Sequence, residues 1–205
     1  MIKIRKYIED KINELSSDII KSTQKLLQIK SVKDKAEKNM PFGKGINDCL
    51  ETTLNIAEKL GLKTKNLDGY AGYAEIGEGN ELIGILCHLD VVPEGRGWTY
   101  PPYGGEIHDG KIYGRGAIDN KGPAVAVLYA LKCLKDSGIE PGKRIRLILG
   151  TDEENDWQGL AYYLEKEDMP DLAFTPDAEF PVIYGEKGIL HICLSKKIHA
   201  GRSEK

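Results

Sequence analysis

The sequence predicts an α/β fold: a mixed, mostly parallel sheet flanked by helices. Three observations predict it. Two short, continuous apolar runs, Leu82 to Cys87 and Ile145 to Leu149, have the character of strands buried on both faces. Amphipathic stretches with helical spacing alternate with them along the chain. Gly, Pro and Asp-Gly punctuation falls between these segments, where an α/β chain must turn.

The elements follow in order. Ile4, Ile8, Ile12, Leu15, Ile19 and Leu26 recur at three-, four- and seven-residue steps with charges between them, which predicts an amphipathic helix. Ser31 to Asn47 is polar and includes Pro41, and reads as a loop. Leu50, Leu54, Ala57 and Leu60 make a second helix, stopped by Gly61. Tyr70 to Ile76 is the next strand, followed by the buried run that ends at Cys87. A loop rich in Gly, Pro and aromatic residues spans Val92 to Pro102. Glu106 to Tyr113 is a hairpin whose Asp109-Gly110 supplies a positive-φ turn. After Gly114-Arg115-Gly116 and Asp119, a helix places Ala124, Leu128, Leu131 and Leu134 on one face and ends near Gly138. Ile145 to Leu149 is a strand, Leu160 to Glu167 a helix, and Leu172 to Phe174 and Ile189 to Leu194 are further strands.

At 205 residues the chain is one domain, or one plus part of another. A net charge of −3 offers no basic stripe for phosphates, so no nucleic-acid partner is expected. Cys49, Cys87, Cys133 and Cys193 form no CxxC pair, and neither a thiolate zinc site nor a disulfide framework is expected. This usage fits a reducing, cytoplasmic setting. The charged N-terminal residues are followed by no apolar stretch of signal-peptide type. The longest apolar run, Ala124 to Leu131, is eight residues, so no membrane span is expected.

The chemistry lies at the strand ends. His88-Leu89-Asp90 follows one apolar run, and Asp119, Glu153-Glu154 and Asp177 come after it at gaps of 31, 35 and 23 residues, counted between His88, Asp119, Glu154 and Asp177. In open α/β sheets, ligands bind outside the carboxyl ends of the strands. Each group has an ordinary explanation when taken singly. A His after a strand is often a hydrogen-bonded structural residue, adjacent acids are often solvated, and an Asp before Asn-Lys-Gly is often a helix cap. Their joint position turns them into a candidate site. Imidazole and carboxylate donors suit zinc, and also manganese or cobalt. Asp90 lies close enough to reach back and orient His88. In extended backbone Glu153 and Glu154 diverge, so one can ligate while the other takes the proton of a metal-activated water. His108 adjoins the hairpin turn and His191 falls in a strand, and both read as structural; His199 falls in the terminal tail, where disorder is expected in preference to a role as substitute ligand.

At these residues the sequence resembles a known family. Cys87-His88-Leu89-Asp90-Val91-Val92-Pro93, Gly114 to Pro123, Gly150-Thr151-Asp152-Glu153-Glu154 and Phe174 to Pro181 resemble the M20 metallopeptidases, most closely their PepV-like dipeptidase branch. The resemblance implies a co-catalytic pair of zinc ions. By motif position, His88 and Asp177 would hold one ion, Glu154 the second, and Asp119 would bridge them across a cis peptide. Glu153 would be the general base and Asp90 the residue orienting His88. Asp177 fits the dipeptidase branch. The substrate implied is a dipeptide or short N-acyl amino acid, with amino acid deacylases as the related alternative. Residues 1–190 would form the N-terminal part of the catalytic domain, and 191–205 would begin the segment leading to a lid. The family's second-site histidine and its substrate-holding lid have no counterpart in the matched motifs. The resemblance therefore carries the further expectation of a catalytically incomplete chain that binds metal weakly and lacks a C-terminal portion.

Overall fold

The computed structural model describes residues 2–188, 190 and 192–196. The first helix, α1 (Ile2–Leu27), buries Leu26 and Leu27 at its carboxyl end. The next, α2 (Lys44–Lys59), buries Cys49, Leu50, Leu54 and Ala57 on one stripe. It closes in a Schellman motif: Leu62 N–H donates to Ala57 O at 3.0 Å and Gly61 N–H to Glu58 O at 2.8 Å. Gly61 adopts φ 77°, the conformation this cap requires.

The strands are β1 (Lys63–Leu67), β2 (Ala71–Ile76), β3 (Leu82–His88), β4 (Glu106–His108), β5 (Lys111–Tyr113), β6 (Arg144–Gly150) and β7 (Leu172–Phe174). The helix α3 (Lys121–Asp136) precedes β6, and α4 (Gln158–Lys166) precedes β7. The main sheet has the order β1-β2-β6-β3-β7. β2 runs antiparallel to both its neighbours, whereas β6, β3 and β7 are parallel. Four of the five strands thus point the same way, the mixed, mostly parallel sheet that the sequence predicts. β4 and β5 form a separate hairpin through Asp109 (φ 50°) and Gly110 (φ 72°).

Alternation along the strands divides the core in two. Ala74, Ile76, Cys87, Leu147 and Leu149 face α1, α2 and α3. Ile148, Tyr73 and Leu86 face Tyr163 of α4. Helices therefore cover both faces. Register then sets the site. His88 lies opposite Gly150, and Phe174 lies opposite Ile85. His88 and Asp177 each follow this last pair by three residues, so they emerge at the same level of the sheet edge.

Three predicted boundaries change. The loop predicted over Ser31 to Asn47 ends earlier, because α2 already begins at Lys44. β1 was not predicted: only Leu67 among its five residues is buried, so no apolar alternation announces it. The strand predicted over Ile189 to Leu194 is not formed by the described residues there; Leu190, Ile192 and Leu194 are exposed, and Ile189 and His191 lie outside the described residues. An apolar run becomes a strand only where a neighbour supplies its hydrogen bonds.

Candidate metal centre

His88 ends β3 and is buried. Its Nδ1 donates to the backbone carbonyl of Asp90 at 2.9 Å, which fixes the tautomer and turns Nε2 toward the cleft. Nε2 lies 2.8 Å from Asp119 Oδ1, 3.4 Å from Asp177 Oδ2 and 3.9 Å from Glu153 Oε2. One imidazole thus faces three carboxylates from three loops. Burial disfavours the imidazolium, yet the carboxylates of Asp90, Glu153 and Asp177 outweigh it and raise the pKa to about 9. A cation is what this arrangement calls for, and in the metal-free chain a proton serves.

Asp90 is fully buried and adjoins the His88 ring, as expected of an orienting residue. Its carbonyl oxygen, rather than its carboxylate, is the atom at bonding distance from His88; Oδ1 is 3.5 Å from Nδ1. The carboxylate instead accepts the backbone N–H of Glu153 at 3.1 Å and of Glu154 at 3.0 Å. Asp90 therefore holds the loop after β6 against the loop after β3.

Asp119 does not cap α3. It follows the turn at Gly114 to Gly116, precedes a cis peptide to Asn120, and presents its carboxylate to His88. Asn120 is the N-cap residue by position, but its side chain makes no capping bond. Its Nδ2 donates to Asp177 Oδ1 at 2.7 Å and Pro176 O at 3.2 Å, which ties the loop after β7 to the turn before α3. Glu153 and Glu154 are both held above the ordinary carboxylate range. Burial is the main cause, reinforced for Glu153 by Asp177 and for Glu154 by Asp119.

His88, Asp119 and Glu154 offer donor atoms that all lie within 4.8 Å of one another. One neutral nitrogen and two carboxylates within that span fit a divalent ion, and the clustered negative charge favours one. Asp177 and Glu153 border this group through their approach to His88 Nε2. All six residues singled out from the sequence thus stand at one sheet edge. A cavity of about 1020 Å³ opens beside them, lined by His88, Glu153 and Asp177 and by apolar Leu86, Trp157 and Phe174. His108 stands apart, bonded to Glu106 at 2.8 Å and stacked on Tyr100. His199 lies outside the described residues.

Sequence reasoning missed the residues that support the ligands. Asn120, Lys121 and Asp152 sit inside the motifs that carry the resemblance but take no role there; Lys33 carries no local signal at all. Asp152 is buried, with Lys33 Nζ 2.7 Å from its Oδ1. Only the tertiary fold brings these residues to the site.

Fold and donor cluster together define a class: an α/β protein with a metal-accepting group of side chains at the carboxyl edge of its sheet. The chain belongs to the peptidase family M20/M25/M40, whose family model matches residues 84–196. It is 52% identical over 179 residues to "Putative dipeptidase YtjP" of Bacillus subtilis (strain 168), a match covering 86% of this chain and 39% of that protein. The chain thus spans about two fifths of the length of such relatives. Among solved structures it resembles human carnosine dipeptidase 1, with a TM-score of 0.73 at 23% identity, over 86% of this chain and 42% of that one. The M20 family metallo-carboxypeptidase Sso-CP2 from Sulfolobus solfataricus matches with a TM-score of 0.61 at 28% identity, over 78% of this chain and 37% of that one. The human protein's likeness bears on fold alone. Among the described residues, no helix is long and apolar enough to cross a membrane.

Proposed function

We propose that this span supplies the metal-holding and proton-transferring side chains of a cytoplasmic, zinc-dependent dipeptidase. The observation that carries the reading is the convergence of His88, Asp119 and Glu154 within 4.8 Å, with Glu153 beside them. On this reading His88, Asp177, Asp119 and Glu154 would hold the zinc ions, and manganese or cobalt would accept the same donors. A bound ion supplies Lewis acidity, which acidifies water and polarises the scissile carbonyl. Glu153 then acts as general base. Burial and neighbouring acids raise its proton affinity. It takes a proton from the water that attacks the amide carbon, and returns it to the amine nitrogen as the C–N bond breaks. Asp90 positions both His88 and Glu153, the one through its carbonyl and the other through its carboxylate. Residues 1–190 form the N-terminal part of the catalytic domain, and 191–205 begin the segment leading to a lid.

Among the described residues, only Asp119 and Glu154 would hold the second ion, fewer donors than a stable zinc site takes. Little turnover is therefore expected from these 205 residues alone, with zinc or manganese added. The decisive experiment is Glu153→Gln in a polypeptide carrying this span at the length of its relatives. Metal content should stay stoichiometric while dipeptide cleavage falls by roughly 10²- to 10⁴-fold. Retained cleavage would remove Glu153 from the role of base.

A further inference from the structure

The carboxyl end of α1 and the segment that follows it touch three of the four loops that carry the candidate ligands, all but the one after β7, although they contribute no ligand themselves. Three sets of contacts do this. Ser31 is buried; its Oγ donates to Leu89 O at 2.6 Å, and its carbonyl accepts Val91 N–H at 3.0 Å. These bonds bracket Asp90. Lys33 Nζ lies 2.7 Å from Asp152 Oδ1 and 3.1 Å from Asp156 Oδ2, which pins the loop holding Glu153 and Glu154. The carbonyls of Leu26 and Ile29 accept Lys121 Nζ at 3.0 and 2.7 Å, two residues beyond Asp119.

Lys121 is the informative member. Its side chain is completely buried, and its two bonds go to backbone carbonyls. A buried ammonium is costly, and a cation in the first turn of α3 opposes that helix's dipole. The four-carbon stem carries the charge across to the carboxyl end of α1, where the Leu26 and Ile29 carbonyls and the negative dipole end favour it. A neighbouring glycine gives it room: a Cβ on Gly116 would stand 3.0 Å from the Lys121 stem. The segment itself is clamped by α2, since a Cβ on Gly45 would stand 2.1 Å from Lys30 O. A methionine in place of Lys121 would satisfy the same packing without the desolvated charge, so packing alone does not account for a lysine here.

We propose that Leu26 to Lys33 is a positioning strap for the metal centre, with Lys121 and Lys33 as its two latches. The strap fixes the distances among the loops after β3 and β6 and the turn before α3. It therefore sets metal affinity without touching the ion. This inference rests on the metal-centre reading above, and its test separates the two. Co²⁺ alone is titrated into the intact chain and its variants, followed by its visible absorption bands, with apo melting temperature measured in parallel. Loss of supporting contacts around ligands lowers metal affinity by about 10- to 100-fold. Lys121→Met and Lys33→Met should each weaken Co²⁺ binding by roughly 10-fold or more at temperatures where both are folded, and Lys33→Arg should restore it to within about two-fold. Lowered melting with unchanged Co²⁺ affinity in both methionine variants would make the lysines merely structural and overturn the strap. Should Lys121→Met fail to fold, Lys33→Met decides, because its side chain is 30% exposed. If the unaltered chain takes up no Co²⁺, or His88→Ala takes it up equally well, the metal reading fails and the strap with it.

Discussion

Two charge clusters sit on this sheet, one buried and one half-open around a buried imidazole, and they are built in opposite ways. Under α4, Arg146 is matched. Its Nε donates to Glu75 Oε2 at 2.7 Å, its Nη1 to Tyr163 Oη and Glu167 Oε2 at 3.0 Å each, and its guanidinium lies over the Tyr73 ring. At the carboxyl edge one imidazole faces Asp119, Asp177 and Glu153, with Glu154 in the same group. The first cluster closes its own accounts of charge and hydrogen bonds. The second is left acidic, and both its glutamates hold protons more tightly than ordinary carboxylates. Buried charge is tolerated when paired. Charge of one sign, gathered round a buried imidazole at the mouth of a cavity, marks a place where something else completes the balance.

The contrast breaks most visibly at Arg146. Replacing it with Met strands Glu75 and Glu167, and urea denaturation should show a loss of about 3–5 kcal/mol. A loss below about 1 kcal/mol would mean that water already reaches this cluster.

The two clusters should also answer pH in opposite directions. His88 has a folded pKa raised from 6.5 to about 9. A raised pKa contributes stability that is complete below the unfolded value and disappears as pH rises through the folded one. The metal-free chain should therefore lose stability between pH 6.5 and about 9, by on the order of 3 kcal/mol, and His88→Gln should flatten that slope. Glu167 has the reverse sign. Burial works to raise its pKa, but bonds from Lys65 and Arg146 hold it below the usual range. Its contribution is present above the ordinary carboxylate pKa of about 4.3 and is lost as the solution is acidified through its lowered value. Melting temperatures of the metal-free chain and of Glu167→Gln across both ranges check the two slopes.

The smallest expected effect is the sharpest in sign. Glu154→Gln should leave the metal-free chain as stable or raise its stability by up to about 1 kcal/mol, because it relieves crowding with Asp119. The same variant should bind Co²⁺ more weakly. A destabilised Glu154→Gln would show that the acid is held for the fold and not for an ion.

The two clusters also differ in how far the sequence announces them. The candidate site was legible because each proposed ligand stands just past an apolar strand or in a Gly-rich turn, and strand polarity then does the rest. His88, Glu153, Glu154 and Asp177 needed no knowledge of packing. Arg146 gave no such signal: it lies inside the run Ile145 to Leu149, read as a buried strand, and nothing local to it names the partners that α4 and β2 supply. The same holds for Lys121, whose partners Leu26 and Ile29 lie 95 and 92 residues away. Polar residues that become structural are recruited by distant elements, and a linear reading has no access to that. β1 was lost for a related reason, since Lys63-Thr64-Lys65-Asn66 pairs with β2 through backbone while exposing most of its side chains.

Asp90 carries one more consequence. Its carboxylate grips main-chain N–H groups at 153 and 154, not the glutamate side chains. Any residue but proline presents that N–H, so the grip is blind to residue identity and sensitive to counting. Inserting or deleting a single residue between Gly150 and Glu153 would bring the wrong amides to Asp90 while leaving composition almost untouched. Length in this loop is thus expected to be invariant even where its letters change, and a one-residue deletion should do more damage than several substitutions together.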